Sequence, residues 1–273
     1  RIVVGIQGLG ISETAYQNAL AYSKERKQGK ANNNKSGDSD LIIKHPDIRR
    51  SLMNMKSLIE GQRSLSFWVS QQIDVGLNHP DKKIKETAND FVSLMTPVIK
   101  SFFTDTGVEI TNDAIQIFGG YGYTKDQGIE QLFRDNRITP IYEGTNSIQA
   151  IDLVFRKILN NKIFDKYIEQ INNEVKEYES NKNLALFVQK FQKYIELLNN
   201  FTLWIGEKNK ISKDDVSSAC NDYLKVFGYI GLAHSWLKIL KVSFEKFDKN
   251  KSFYEDKINT ATYYFDKILP RAQ

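Results

Sequence analysis

The chain has 273 residues, 41% hydrophobic and 26% charged, with a formal net charge of +5 and a single cysteine, Cys220. That is globular composition, long enough for two packed units, with no apolar run near the roughly 20 residues that span a bilayer and no secretory apolar segment. One cysteine excludes an internal disulfide framework and fits a reducing, cytoplasmic compartment. The positive balance does not point to nucleic acid, because lysines alternate with acids, as in Glu174-Val175-Lys176-Glu177, and there is no arginine-rich arm or zinc-finger spacing.

Ile2, Ile6, Leu9, Tyr16 and Leu20 recur at helical steps, so a first helix is expected from residue 1 to about Lys27. It begins in mid-pattern with no methionine, as a piece of a longer protein would. "KQGKANNNKSGDSD" follows as a long polar loop. Pro46 suits the first turn of a second helix, whose stripe of Leu52, Met55, Ile59 and Leu65 runs to about Gly76. A third helix carries Ile84, Ala88, Phe91, Leu94 and Met95, meets Pro97 as a possible kink, and ends at the glycines of "FGGYGY". A short helix over Gly128 to Arg137 precedes "TPIYEGTNSIQA", and another starts near Thr145. Beyond about Asn160 the text turns rich in Lys, Asn, Glu and Tyr, with four helices expected over roughly 163–179, 183–208, 212–247 and 251–268. Ser212, followed by Asp214 and Asp215, reads as an N-cap. No segment alternates with period two. The expected fold is all-α, an antiparallel helical bundle over 1–160 followed by a helical extension over 161–273.

The residues offer few sites for chemistry. His45, His79 and His234 neither pair at helical spacing nor sit in Glu-x-x-His, so no metal site is expected. Cys220 has no basic neighbour to make it a nucleophile. "IFGGYGY" taken alone reads first as a helix stop followed by a loop, and second as a place where backbone comes close to a ligand. Glu143 stands between Tyr142 and Gly144 at the mouth of a helix. A glutamate there can serve the helix dipole, or it can be a general base with helix N–H groups behind it.

Three stretches carry a resemblance. "GLGISETAYQNALAYSKERKQGK", "HPDIRR" and "DAIQIFGGYGYTKDQGIEQLFRDNRITPIYEGTNSIQA" resemble, in order, the C-terminal helical domain of the acyl-CoA dehydrogenases. The resemblance implies an FAD-dependent enzyme that inserts an α,β double bond into an acyl-CoA thioester. It makes Glu143 of Tyr-Glu-Gly-Thr the base that takes the α-proton while hydride leaves the β-carbon for flavin N5. The Glu143 N–H would hold the enolate oxygen, Gly144 would give the acyl chain room, and Tyr142 and Arg1 would lie against substrate. Arg26 would reach the flavin pyrophosphate of a partner subunit, and Gln116, Gly119 and Gly120 its adenosine part. Thr145 would face the flavin of its own subunit.

"ERKQGK" is one residue shorter than the family's usual Glu-Arg-x-x-Phe-Gly, leaving Gln28 to stand in, and Ser147 replaces a glutamine often found four residues after the base. The polar insertion around residues 31 to 41 and the tail after 160 resemble a bacterial subgroup that includes enzymes acting on 3-methylmercaptopropionyl-CoA. That subgroup implies a homodimer, and the dehydrogenase resemblance implies electron-transfer flavoprotein as acceptor. The family's N-terminal helical domain and middle β-domain are absent from this sequence, so the chain alone is expected to bind FAD weakly or not at all and to be inactive. Two other functions stand beside this one: a non-catalytic helical module for dimerisation or docking, and an acyl-CoA oxidase-like flavoprotein.

Overall fold

The computed structural model describes residues 1–32, 37–160 and 163–273. Asn33 to Ser36 of the polar loop, and Asn161 and Lys162 at the expected boundary, lie outside the described residues. Among the described residues the regular structure is all helical, with one isolated antiparallel bridge, Lys27 to Leu41, and no strand.

Three long helices form the bundle: α1 (Ile2–Ser23), α2 (Pro46–Asn78) and α3 (Lys82–Phe118). α2 starts on Pro46, as expected, and the Asp81 carboxylate caps α3 by accepting from Lys83 N at 2.7 Å. Gln62 Nε2 donates to Thr106 Oγ1 at 2.6 Å while Gly76 lies against Asn89, so α2 and α3 run antiparallel. α1 ends at Ser23, short of the expected Lys27, because the chain turns there to make the bridge at Lys27. α3 is the central helix. From Leu94 to Thr104 nearly every side chain is buried, and the helix continues through Pro97.

The apolar stripe read on α1 is not its whole contact face. Ile6 is exposed, whereas Gly5, Gly8, Ser12, Ala15 and Ala19 are buried. A Cβ on Gly5 would come within 2.6 Å of the Ile99 carbonyl oxygen, so the two backbones approach more closely than side chains allow. α1 therefore packs largely through small residues, with Val4 and Leu9 buried beside them and Ile2, Tyr16 and Leu20 half-buried at the rim.

After α3 come α4 (Gly120–Tyr123), α5 (Ile129–Arg137) and α6 (Asn146–Ile151), the last continuing into a π-helical stretch over Asp152–Ile158. The extension adds α7 (Ile163–Glu179), α8 (Ala185–Asn209), α9 (Lys213–Glu245) and α10 (Lys251–Tyr263). Ser212 caps α9, accepting from Asp215 N at 3.2 Å. α9 packs on α2, α3 and α6. Trp236 Nε1 donates to Ser57 O at 3.2 Å and Gly231 lies against Leu65, so α9 is antiparallel to α2.

α7 is held on α9 by Glu174, whose Oε2 accepts from Lys238 Nζ at 2.5 Å and from His234 Nε2 at 2.8 Å. His234 is fully buried and its Nδ1 has no partner, which fits the neutral ring donating from Nε2. Burial lowers the His234 pKa from its ordinary 6.5. Burial raises that of Glu174, but the hydrogen bonds and charges of His234 and Lys238 outweigh it and bring it to about 2. Both groups have depressed folded-state values, so each contributes stability that is lost as pH falls. The loss is expected to begin below pH 6.5 through His234, and to continue from 4.5 towards 2 through Glu174. Denaturant midpoints measured across this range check it. Glu174→Gln should flatten the lower part of the curve, and an unchanged slope would remove Glu174 from the account.

Candidate active site

Between α5 and α6 the chain forms a closed loop. Asn146 N donates to Pro140 O at 3.0 Å, pinching residues 140 to 146 together. Inside it Glu143 has φ of 58° and is the one non-glycine residue with positive φ among the described residues, and Gly144 follows with φ of 87°. A non-glycine residue in the left-handed region costs about 1–2 kcal/mol and persists where its surroundings enforce it, often at a functional site. Gly144 must be glycine twice over, because a Cβ there would also meet Gln149 Nε2 at 2.9 Å.

The structure brings five expected residues to this end of the bundle. Tyr142 donates from its hydroxyl to Gln7 Oε1 and ties the loop to α1. Thr145 is the N-cap of α6, accepting from Ile148 N at 3.4 Å. Arg1 lies 3.7 Å from Asp152 on the π-helical stretch that continues α6. Glu143 and Gly144 are exposed, and nothing among the described residues accepts the Glu143 N–H.

Beneath this loop lies a buried polar cluster that no motif in the sequence marks. Asn146, the first residue of α6, donates from Nδ2 to Thr104 Oγ1 at 2.9 Å and to Asp105 Oδ1 at 2.8 Å, and accepts from Lys100 Nζ at 2.8 Å. Lys100 is fully buried, and burial lowers its pKa, with Asp105 opposing that shift and Arg1 adding to it. Burial likewise raises the Asp105 carboxyl, against the Asn146 hydrogen bond. The available signal was a lone lysine in an apolar run, Pro97-Val98-Ile99-Lys100-Ser101-Phe102-Phe103.

A second cluster lies at the other end of α1. Arg26, Gln28, Gln116 and Gly119 line one groove of about 320 Å³, with His45 and the stacked pair Tyr22 and Phe118. Hydrogen bonds hold its rim: Ile42 N donates to Arg26 O at 2.8 Å, and the His45 side chain donates from Nε2 to Gln28 O at 2.8 Å. Arg26 sits 5.5 Å over the Tyr121 ring. Gly119 has φ of 62°, and a Cβ added to Gly119 or Gly120 would meet nothing within 4 Å, so backbone there is open to a ligand. α1 has 22 residues, which at 1.5 Å per residue puts the two clusters roughly 30 Å apart. Cys220 belongs to neither; it is buried, and burial raises its pKa to about 11.

Residues 1–158 match the family described as acyl-CoA dehydrogenase, C-terminal domain. The chain belongs to this family. Residues 167–273 match a second description, acetyl-CoA dehydrogenase C-terminal like. Over 159 residues the chain is 41% identical to 3-methylmercaptopropionyl-CoA dehydrogenase of Ruegeria pomeroyi, covering 58% of this chain and 27% of that protein. Over 279 residues it is 29% identical to a butyryl-CoA dehydrogenase of Syntrophomonas wolfei, covering 99% of this chain and 45% of that one. The chain thus spans less than half the length of these relatives. Its fold matches that of Caenorhabditis elegans ACDH-11, solved with C11-CoA, at a TM-score of 0.73 and 20% identity, over 98% of this chain and 42% of that one.

Proposed function

We propose that, in the full-length protein, this chain supplies the catalytic base and part of the cofactor site of an FAD-dependent acyl-CoA dehydrogenase. The observation that carries the reading is Glu143, an exposed carboxylate held at φ of 58° on a loop closed against a helix start. Glu143 takes the α-proton of the thioester. The enolate that forms needs donors in place before charge develops, and the unengaged Glu143 N–H is one. Gly144 keeps side-chain atoms away from the acyl chain, and Tyr142 and Arg1 border it. FAD, when bound, supplies the acceptor for the β-hydride, so that enoyl-CoA and reduced flavin are the products.

The residues at the far end of α1 fit that cofactor. Arg26 can meet a pyrophosphate, and the open backbone of Gly119 and Gly120, with Gln116, can meet an adenosine. Thr145, as the cap of α6, would border the flavin of its own subunit. A separation of roughly 30 Å along α1 supports assigning the Arg26 cluster to the flavin of a second subunit, hence a homodimer. Glu143 is exposed in this chain, so water exclusion over the carboxylate falls to the rest of the protein.

The test uses the full-length protein, purified with its flavin and mixed anaerobically with acyl-CoA thioesters of graded length and branching. Bleaching of the oxidised flavin band with enoyl-CoA formation is expected. No bleaching with any thioester would favour the docking-module function. Reoxidation by electron-transfer flavoprotein is the expected second half-reaction, whereas stoichiometric oxygen consumption would make the protein oxidase-like.

A further inference from the structure

Resting on that reading, we propose that Gln149 and Lys100 are positioning residues, which hold the Glu143 turn in its left-handed conformation from below without touching substrate. Glu143 does not choose φ of 58° by itself, since a glutamate has no local side-chain bond that favours it. Something must impose the turn, and two buried donors reach it from different helices.

The first is Gln149, on α6. Its side chain is fully buried, and its Nε2 points at the loop carbonyls, 3.3 Å from Gly144 O and 3.5 Å from Glu143 O. Both carbonyls accept and cannot donate, so they require the amide nitrogen here and leave Oε1 without a partner. A buried amide held in this orientation at the expense of an orphaned oxygen is answering a demand of the loop. The contact also explains the glycine, since the same Nε2 occupies the space a Gly144 Cβ would need.

The second is Lys100, on α3, which acts through Asn146. A fully buried ammonium is costly unless it is held by hydrogen bonds, yet Lys100 spends its bond on Asn146 Oδ1. That fixes which way the Asn146 amide faces. Its Nδ2 is then directed to Thr104 and Asp105, and its backbone N–H closes the loop on Pro140 O. The central helix of the bundle therefore grips the residue three places after the base. Lys100 and Gln149 together clamp the turn from its far side and from its floor. Both are fully buried, so neither can act on substrate directly.

The experiment compares full-length Gln149→Met and Lys100→Met with the parent protein, with all rates normalised to bound flavin. A displacement of the base by about 1 Å costs on the order of 10²-fold, so flavin reduction at saturating acyl-CoA should fall about 10- to 100-fold, with KM little changed. The isotope effect with α-deuterated substrate should rise as proton abstraction becomes slower. In a Glu143→Gln background neither substitution should cost anything more. Loss of stability or of flavin occupancy, with an unchanged rate per flavin and an unchanged isotope effect, would show these residues to be purely structural and overturn the proposal. Should Lys100→Met fail to fold, Gln149→Met, which removes one neutral donor, decides the matter alone. If Glu143→Gln itself stays active, the base assignment fails, a result separate from either outcome above.

Discussion

Replacing Glu143 by Gln in the full-length protein is expected to slow flavin reduction by acyl-CoA about 10³-fold or more, within the range for removing a general base. Gln keeps the length and shape of Glu and the same left-handed cost, and it has no carboxylate to take a proton. Glu143 is exposed and makes no side-chain hydrogen bond or ion pair among the described residues, so the substitution should change stability by less than about 0.5 kcal/mol. Stopped-flow bleaching and a melt on the same sample separate the two effects. Glu143→Gly sharpens the test. Glycine accepts φ of 58° freely, so that variant should be about 1 kcal/mol more stable than the parent while equally inactive. A gain of stability with a loss of function would mark the strain as serving the reaction. Full turnover by Glu143→Gln would move the base elsewhere.

The helices were legible because their signals are local. Pro46 and Ser212 mark starts that the structure reproduces, and the apolar periodicity of α2 and α3 predicts their buried faces except at Ile84, which is exposed in the first turn of α3. α1 was read less well. Leu9 of the expected stripe is buried, but most of the buried face is glycine, alanine and serine, which periodicity in large apolar residues cannot detect, and the helix end is set by a bridge from Lys27 to Leu41 across the polar loop. At the site, Glu143 was visible through the family motif, but its left-handed backbone was not, since nothing in Tyr-Glu-Gly-Thr alone requires it. Lys100 and Gln149 escaped for the same physical reason. Each looks like an ordinary helical polar residue until tertiary packing removes its water and places a carbonyl or an amide against it.

The extension is not remote from this site. Asn221 on α9 donates to Ser147 Oγ at 3.3 Å, one residue past the Asn146 that Lys100 holds, and Phe102, two residues after Lys100, meets α9 at Gly228. Helix α9 therefore backs both the helix that carries the loop and the helix that grips it. Movement of the extension relative to the bundle would reach Glu143 through α6 and α3 and need not pass through substrate.

How firmly the two are joined can be measured at Trp236, the largest fully buried side chain, whose indole sits on α2 at Ser57 and 6.1 Å from the Tyr264 ring. Trp236→Ala is expected to cost about 3–5 kcal/mol, through lost burial and the cavity left behind. If residues 161–273 were a separate domain, the loss would fall on them, and a urea titration followed by helical circular dichroism would split into two steps. One buried cluster runs from Leu9 and Leu65 through Phe102 to Leu232, Trp236 and Tyr264, with no break between bundle and extension. The expected titration is therefore a single transition at lower urea with an unchanged slope, because both units still expose their shared core together. A second step, or a reduced slope, would show that the extension opens by itself, and would free α9 to move against α6 and the Glu143 loop.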